Sequence, residues 1–139
     1  MKTPLFKPQT EWLPPTDFPN LDKYDEIAID LETKDPNLNE RMGSGSVVGV
    51  GDVVGISLAT HDWCAYYPIA HEGGGNMDRK MVLNWFQDQM KTDSTKIFHN
   101  AMYDVCWLRK LGINIQGQIV DTMIAASLVD ENRFRYDLN

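Results

Sequence analysis

With 139 residues, 42% of them hydrophobic, the chain has the material for one globular core and not for two. Twenty acidic against 13 basic residues give a formal charge of -7, which argues against holding nucleic acid by neutralising many phosphates, though not against reaching a phosphate through bound cations. No apolar run approaches the roughly 20 residues of a membrane span, no signal core follows Met1, and Cys64 and Cys106 lack a Cys-x-x-Cys spacing, so the reading is a soluble intracellular protein with two buried free thiols.

Residues 1–24 carry Pro4, Pro8, Pro14, Pro15 and Pro19 with Trp12, Leu13 and Phe18 between them. This predicts an extended arm, laid against the domain or serving as a linker, ahead of a domain over 25–139. The stretch Ile27-Ala28-Ile29-Asp30-Leu31-Glu32-Thr33 alternates large apolar residues with Ala28, Asp30 and Glu32, the period of a strand. Ile27, Ile29 and Leu31 can then enter a core while Asp30 and Glu32 leave side by side on the other face. Like charges that close repel unless a cation lies between them or one carboxyl keeps its proton, and a divalent metal is one remedy. An edge strand with a solvated acidic face satisfies the same pattern.

A long polar loop, Lys34 to Asp52, follows, with Gly43-Ser44-Gly45-Ser46 inside it; loops of that length are often functional or mobile. Val53 to Thr60 and Trp63 to Ile69 read as strands joined by a tight turn at His61-Asp62. Glycines 73 to 75 break the chain before Asp78, an N-cap for a helix whose Met81, Val82, Trp85, Phe86 and Met90 have helical spacing. Lys96 to His99 reads as a short buried strand. Asn100 then caps a helix from Ala101 to Leu111 that Gly112 closes, and Ile119-Val120 leads to Asp121, the cap of a third helix to about residue 129. Three strands in a meander, then helix, strand, helix, strand, helix, predict an α/β domain of the ribonuclease H type: a mixed sheet with helices packed on it.

Asp104 stands in the first turns of a helix that starts where a buried strand ends, the junction at which open α/β sheets bind ligands. Taken alone, Asp104 is better accounted for as an acid that stabilises the helix dipole. Its combination with Asp-x-Glu on the first strand, across a meander and a helix, favours a site. Of the histidines, His61 and His71 read as solvent-facing; His99 reads as a structural residue or as lining a pocket. Tyr103 and Trp107, four apart on one helix, read as a core pair.

Asp30-Leu31-Glu32-Thr33 resembles the first motif, Asp-x-Glu-Thr, of the DEDD-type 3′-to-5′ exonucleases, and within them of the proofreading domain of family A DNA polymerases, phage-type ones especially. Asn100-Ala101-Met102-Tyr103-Asp104 is similar to the second motif, Val54-Gly55-Ile56-Ser57-Leu58-Ala59 to that family's second strand, and Asp121-Thr122-Met123 to the start of a later helix. The resemblance runs from about Glu26 onward. The family's third motif, Tyr-x-x-x-Asp or His-x-x-x-x-Asp with the fourth acid, has no match, so the chain reads as a partial domain cut before it.

The resemblance implies hydrolysis of phosphodiesters at 3′ ends of single-stranded DNA with two Mg2+ or Mn2+ ions. Asp30, Glu32 and Asp104 are then the catalytic and metal-binding acids, and Thr33, Asn100, His99 and Tyr103 the substrate-binding residues. It further implies a polymerase domain in the same parent chain, no membrane, and the cytoplasm of a bacterial or phage-infected cell. An RNA-processing 3′-to-5′ exoribonuclease and a catalytically silent interaction domain are the alternative functions.

Overall fold

The computed structural model describes residues 12–39 and 43–138; Pro4 and Pro8 of the arm lie outside them. In chain order the elements are β1 (Glu26–Lys34), α1 (Gly45–Val48), β2 (Asp52–Ala59), β3 (Cys64–Pro68), α2 (Arg79–Met90), β4 (Thr95–Phe98), α3 (Ala101–Lys110), β5 (Ile119–Asp121) and α4 (Thr122–Val129). The strands form one sheet in the order β3-β2-β1-β4-β5. β1, β2 and β3 pair antiparallel, while β1–β4 and β4–β5 are parallel, which is the mixed ribonuclease H-like sheet expected from the order of elements.

β1 sits in the middle because its alternation gives it one fully apolar face. Ile27, Ile29 and Leu31 are buried with Val82, Phe86 and Met90 of α2 and Trp107 and Leu108 of α3, each such side chain contributing about 1.5–3 kcal/mol on removal from water. The pairing of β1 with β2 slips between Glu32 and Thr33: Glu32 faces Gly55, Thr33 faces Val53, and Val54 is the extra residue. That bulge resets the phase of β2, so Val53, Ile56 and Leu58 all point into the core although the first two stand three positions apart.

Helix starts follow local chemistry. The Asp78 carboxylate accepts the Met81 N–H at 2.8 Å, capping α2. The first described residues of the arm are fastened to the same helix: Trp85 Nε1 donates to the Pro19 carbonyl at 2.8 Å, the Leu21 N–H donates to Gln89 Oε1 at 2.8 Å, and the Phe18 ring stacks on Tyr67.

Two details differ from the sequence expectation, and one within the expected buried strand is resolved by the structure. A single-turn helix, α1, interrupts the long loop, because Ser44 caps Ser46 and Gly49 closes the turn with positive φ. Cys64 lies exposed on the edge strand and Cys106 is only half-buried, so the two free thiols are not core residues. Lys96 is fully buried, its ammonium donating to the Thr92 carbonyl and, at 3.2 Å, to Thr92 Oγ1; β4 thus turns one long side chain inward and satisfies its head locally.

Candidate active site

Asp30 and Glu32 leave β1 on the face opposite the core, as the alternation predicts. Asp104, one turn into α3, points back toward the same strand and is buried to 3% exposure. Its carboxylate takes the backbone N–H of Leu31, the residue between the two strand acids. Burial, followed by the charge of Asp30, pushes the Asp104 pKa up to about 7; Asp121 and Glu32 add to the rise and the Leu31 N–H opposes it. Partial burial raises Asp30 as well, and the neighbouring His99 draws it back. Among the described residues no three His, Cys, Asp or Glu side chains close into a ready metal-ligand cluster. What the fold brings together is a set of mutually repelling carboxylates on one strand and one helix.

Asn100 does not cap α3 with its side chain. It takes a left-handed conformation, φ 65, which asparagine tolerates better than most residues, and makes no capping bond. Asp121 does the work from β5: Oδ1 accepts the Asn100 N–H at 3.0 Å, Oδ2 accepts the Ala101 N–H at 2.8 Å, and Oδ1 also accepts the Met123 N–H at 2.9 Å. Burial works against the ionised Asp121, yet the N–H groups of Ala101, Asn100, Met123 and Ile124 hold its carboxyl below the usual range. One side chain therefore caps α3 and α4 together. Asp121→Ala is expected to lower stability by about 2 kcal/mol, about 1 for each helix start, seen as a lower urea midpoint with unchanged slope. A loss no larger than a single cap would refute the double role.

Thr33, Tyr103 and an acid that sequence reasoning missed form a relay. The Tyr103 hydroxyl donates to Asp35 Oδ2 at 3.0 Å, so the 2.8 Å bond between Thr33 Oγ1 and Tyr103 Oη has threonine as donor. Asp35 also takes the Gly45 N–H with both oxygens at 3.0 Å, tying the loop after β1 to α3. Its signal was the Asp35-Pro36 turn pair, legible as a turn but not as a link to Tyr103. Trp107 is buried and meets Tyr103 edge-on at 6.4 Å, the expected core pair.

His99 lines the site. Thr122 Oγ1 donates to the Phe98 carbonyl at 3.2 Å, so it accepts from His99 Nδ1 at 2.9 Å, which leaves Nε2 as a buried lone pair with no hydrogen-bond partner among the described residues. Asp30, Ser57, Ala59, Tyr66, His99 and Thr122 border a groove of about 590 Å³ along this face of the sheet. His71 is not solvent-facing as expected: it is half-buried and hydrogen-bonded to Tyr66. His61 is exposed.

Residues 18–139 match the family described as 3′-5′ exonuclease. The chain belongs to that 3′-5′ exonuclease family. It is 32% identical over 146 aligned positions to a DNA-directed DNA polymerase of Pseudomonas phage M6, covering 99% of this chain and 22% of the polymerase. The chain thus spans about a fifth of the length of that relative. Brucella melitensis NrnC shares the fold with a TM-score of 0.57 at 25% identity, over 86% of this chain and 52% of NrnC; a structure of NrnC with bound Mg2+ superposes with a TM-score of 0.56 at 20% identity, over 91% and 55%. Members of the exonuclease family are hydrolases of nucleic-acid phosphodiester bonds and depend on divalent metal. Among the described residues no helix is long and apolar enough to cross a membrane.

Proposed function

We propose that this exonuclease chain proofreads for a DNA polymerase, removing nucleotides from the 3′ end of single-stranded DNA. The observation that carries the reading is Asp104, buried on α3 against β1 and held near neutrality by its own burial and by Asp30. A buried carboxyl kept at that poise by a neighbouring carboxylate is a mark of a functional site. The polymerase relative supports DNA as the substrate.

The donor set fits the metal. Asp30, Glu32 and Asp104 offer oxygen ligands without sulfur, the chemistry of Mg2+ or Mn2+ more than of zinc. These three residues would hold two such ions, which supply an acidified water and stabilise the leaving oxygen when bound. Thr33, fixed through Tyr103 and Asp35, presents its backbone at the bulge to the terminal nucleotide; Asn100 and Tyr103 meet that nucleotide from α3, and His99 borders the groove. The proposed unit is an arm over 1–24 and a partial exonuclease domain over 25–139, beside a polymerase domain of the same parent chain, in the cytoplasm of a bacterial or phage-infected cell.

The test is a 5′-labelled single-stranded oligonucleotide incubated with Mg2+ or Mn2+ and a longer form of the chain that carries the third motif. Stepwise shortening from the 3′ end, abolished by chelator and by Asp30→Ala, is the expected result. Shortening that Asp30→Ala leaves intact would sink the assignment, and preference for an RNA oligonucleotide would move it to RNA processing.

A further inference from the structure

We propose that Tyr66, steadied by His71, is a further positioning residue that holds the 3′-terminal sugar hydroxyl of the substrate against Glu32; the proposal rests on the exonuclease reading above. Glu32 on β1 pairs with Gly55 on β2, and Tyr66 comes from β3, whose partner on β2 is Ser57. The Tyr66 ring lies over Gly55: a Cβ built there would stand 1.9 Å from Tyr66 Oη and 2.5 Å from Cε2. Glycine at this position is what lets the phenol cross β2 at the level of Glu32. Tyr66 borders the same groove as Asp30.

The phenol is also aimed. Tyr66 Oη is hydrogen-bonded to His71 Nε2. His71 is itself clamped, its N–H donating to Asn76 Oδ1 at 2.7 Å and its carbonyl accepting from Asn76 Nδ2 at 2.8 Å, so that Asn76 closes the glycine segment into a ring. Next to it Glu72 pairs with Lys34 at the end of β1. A tyrosine hydroxyl has one donor and two acceptor positions, and the bond to His71 uses only one of them. Tyr66 borders the groove together with Asp30, and the remaining positions of its hydroxyl suit a ligand hydroxyl that can give one hydrogen bond and take another.

The test uses the 139-residue chain with Mn2+, titrated calorimetrically with thymidine 5′-monophosphate and with its 3′-deoxy analogue, in wild type, Tyr66→Phe and Asp30→Ala, with thermal melts to confirm folding. Wild type is expected to prefer the 3′-hydroxyl nucleotide. Tyr66→Phe should bind that nucleotide about fivefold more weakly, the worth of one neutral hydrogen bond, and leave the deoxy analogue unchanged. A merely structural tyrosine would weaken both alike or neither, and either result overturns the inference while Asp30-dependent binding keeps the exonuclease reading. If no nucleotide binds in an Asp30-dependent way, both fall. Gly55→Ala, whose methyl displaces the phenol, should reproduce the selective loss.

Discussion

Asp104→Asn is expected to raise the melting temperature of the chain by about 10 °C at pH 8 when divalent cations are chelated, and to leave it nearly unchanged at pH 4. Asparagine keeps the acceptor that the Leu31 N–H uses, so the substitution removes charge and little else. A carboxyl whose folded pKa lies at about 7, against an unfolded value of 3.8, binds more protons when folded than when unfolded between those limits. Its contribution is therefore fully present below about pH 4, and stability falls as pH climbs toward 7 and levels off above it. At 1.36 kcal/mol per tenfold, the ionised carboxylate costs up to about 4 kcal/mol at pH 8. The proposed metal site carries the converse: millimolar Mn2+ should stabilise wild type at pH 8 and do little for Asp104→Asn. Melting curves across pH, with and without Mn2+, read both effects. An asparagine variant no more stable than wild type at pH 8 would show that Asp104 is not the strained group its surroundings indicate.

In a longer form that carries the third motif, Asp30→Ala should cut release of mononucleotides by at least about a hundredfold, roughly 2.7 kcal/mol of transition-state stabilisation, without unfolding the chain. The expectation rests on position: Asp30 is on the exposed face of β1, its side chain in the groove and outside the core. A second consequence is separate from turnover. Because the charge of Asp30 is the second cause of the high Asp104 pKa after burial, Asp104 should titrate lower in Asp30→Ala while staying above the ordinary carboxylate range. Carboxyl chemical shifts followed through a pH titration would show it. An Asp104 titration that does not move would mean the two acids do not sense each other.

Much of this was legible along the chain. The alternation of Ile27, Ile29 and Leu31 with Asp30 and Glu32 announced a central strand with two acids on its outer face. Asp78 and Asp121 announced helix starts, and the His61-Asp62 turn set the pairing of Ala59 with Cys64. These signals work because strand period, capping bonds and tight turns involve residues within four positions of one another. Asn100 misled because its side chain is a good cap by type, whereas the start of α3 is held by a carboxylate from 21 positions away that takes the N–H groups of Asn100 and Ala101.

By itself, then, the sequence determined the acids, the order of the elements and the family resemblance that Asp30, Glu32 and Asp104 carry. Only the tertiary structure decided what surrounds them. The slip after Glu32, the relay from Thr33 through Tyr103 to Asp35, the double cap by Asp121 and the crossing of Tyr66 over Gly55 each join groups from different elements. Their cause is strand register and the packing of helices on one face. Those are properties of which segments pair, and a local pattern, read one stretch at a time, does not contain them. The raised pKa of Asp104 belongs to the same class, since it arises when a helix buries a carboxyl against a strand that already carries charge.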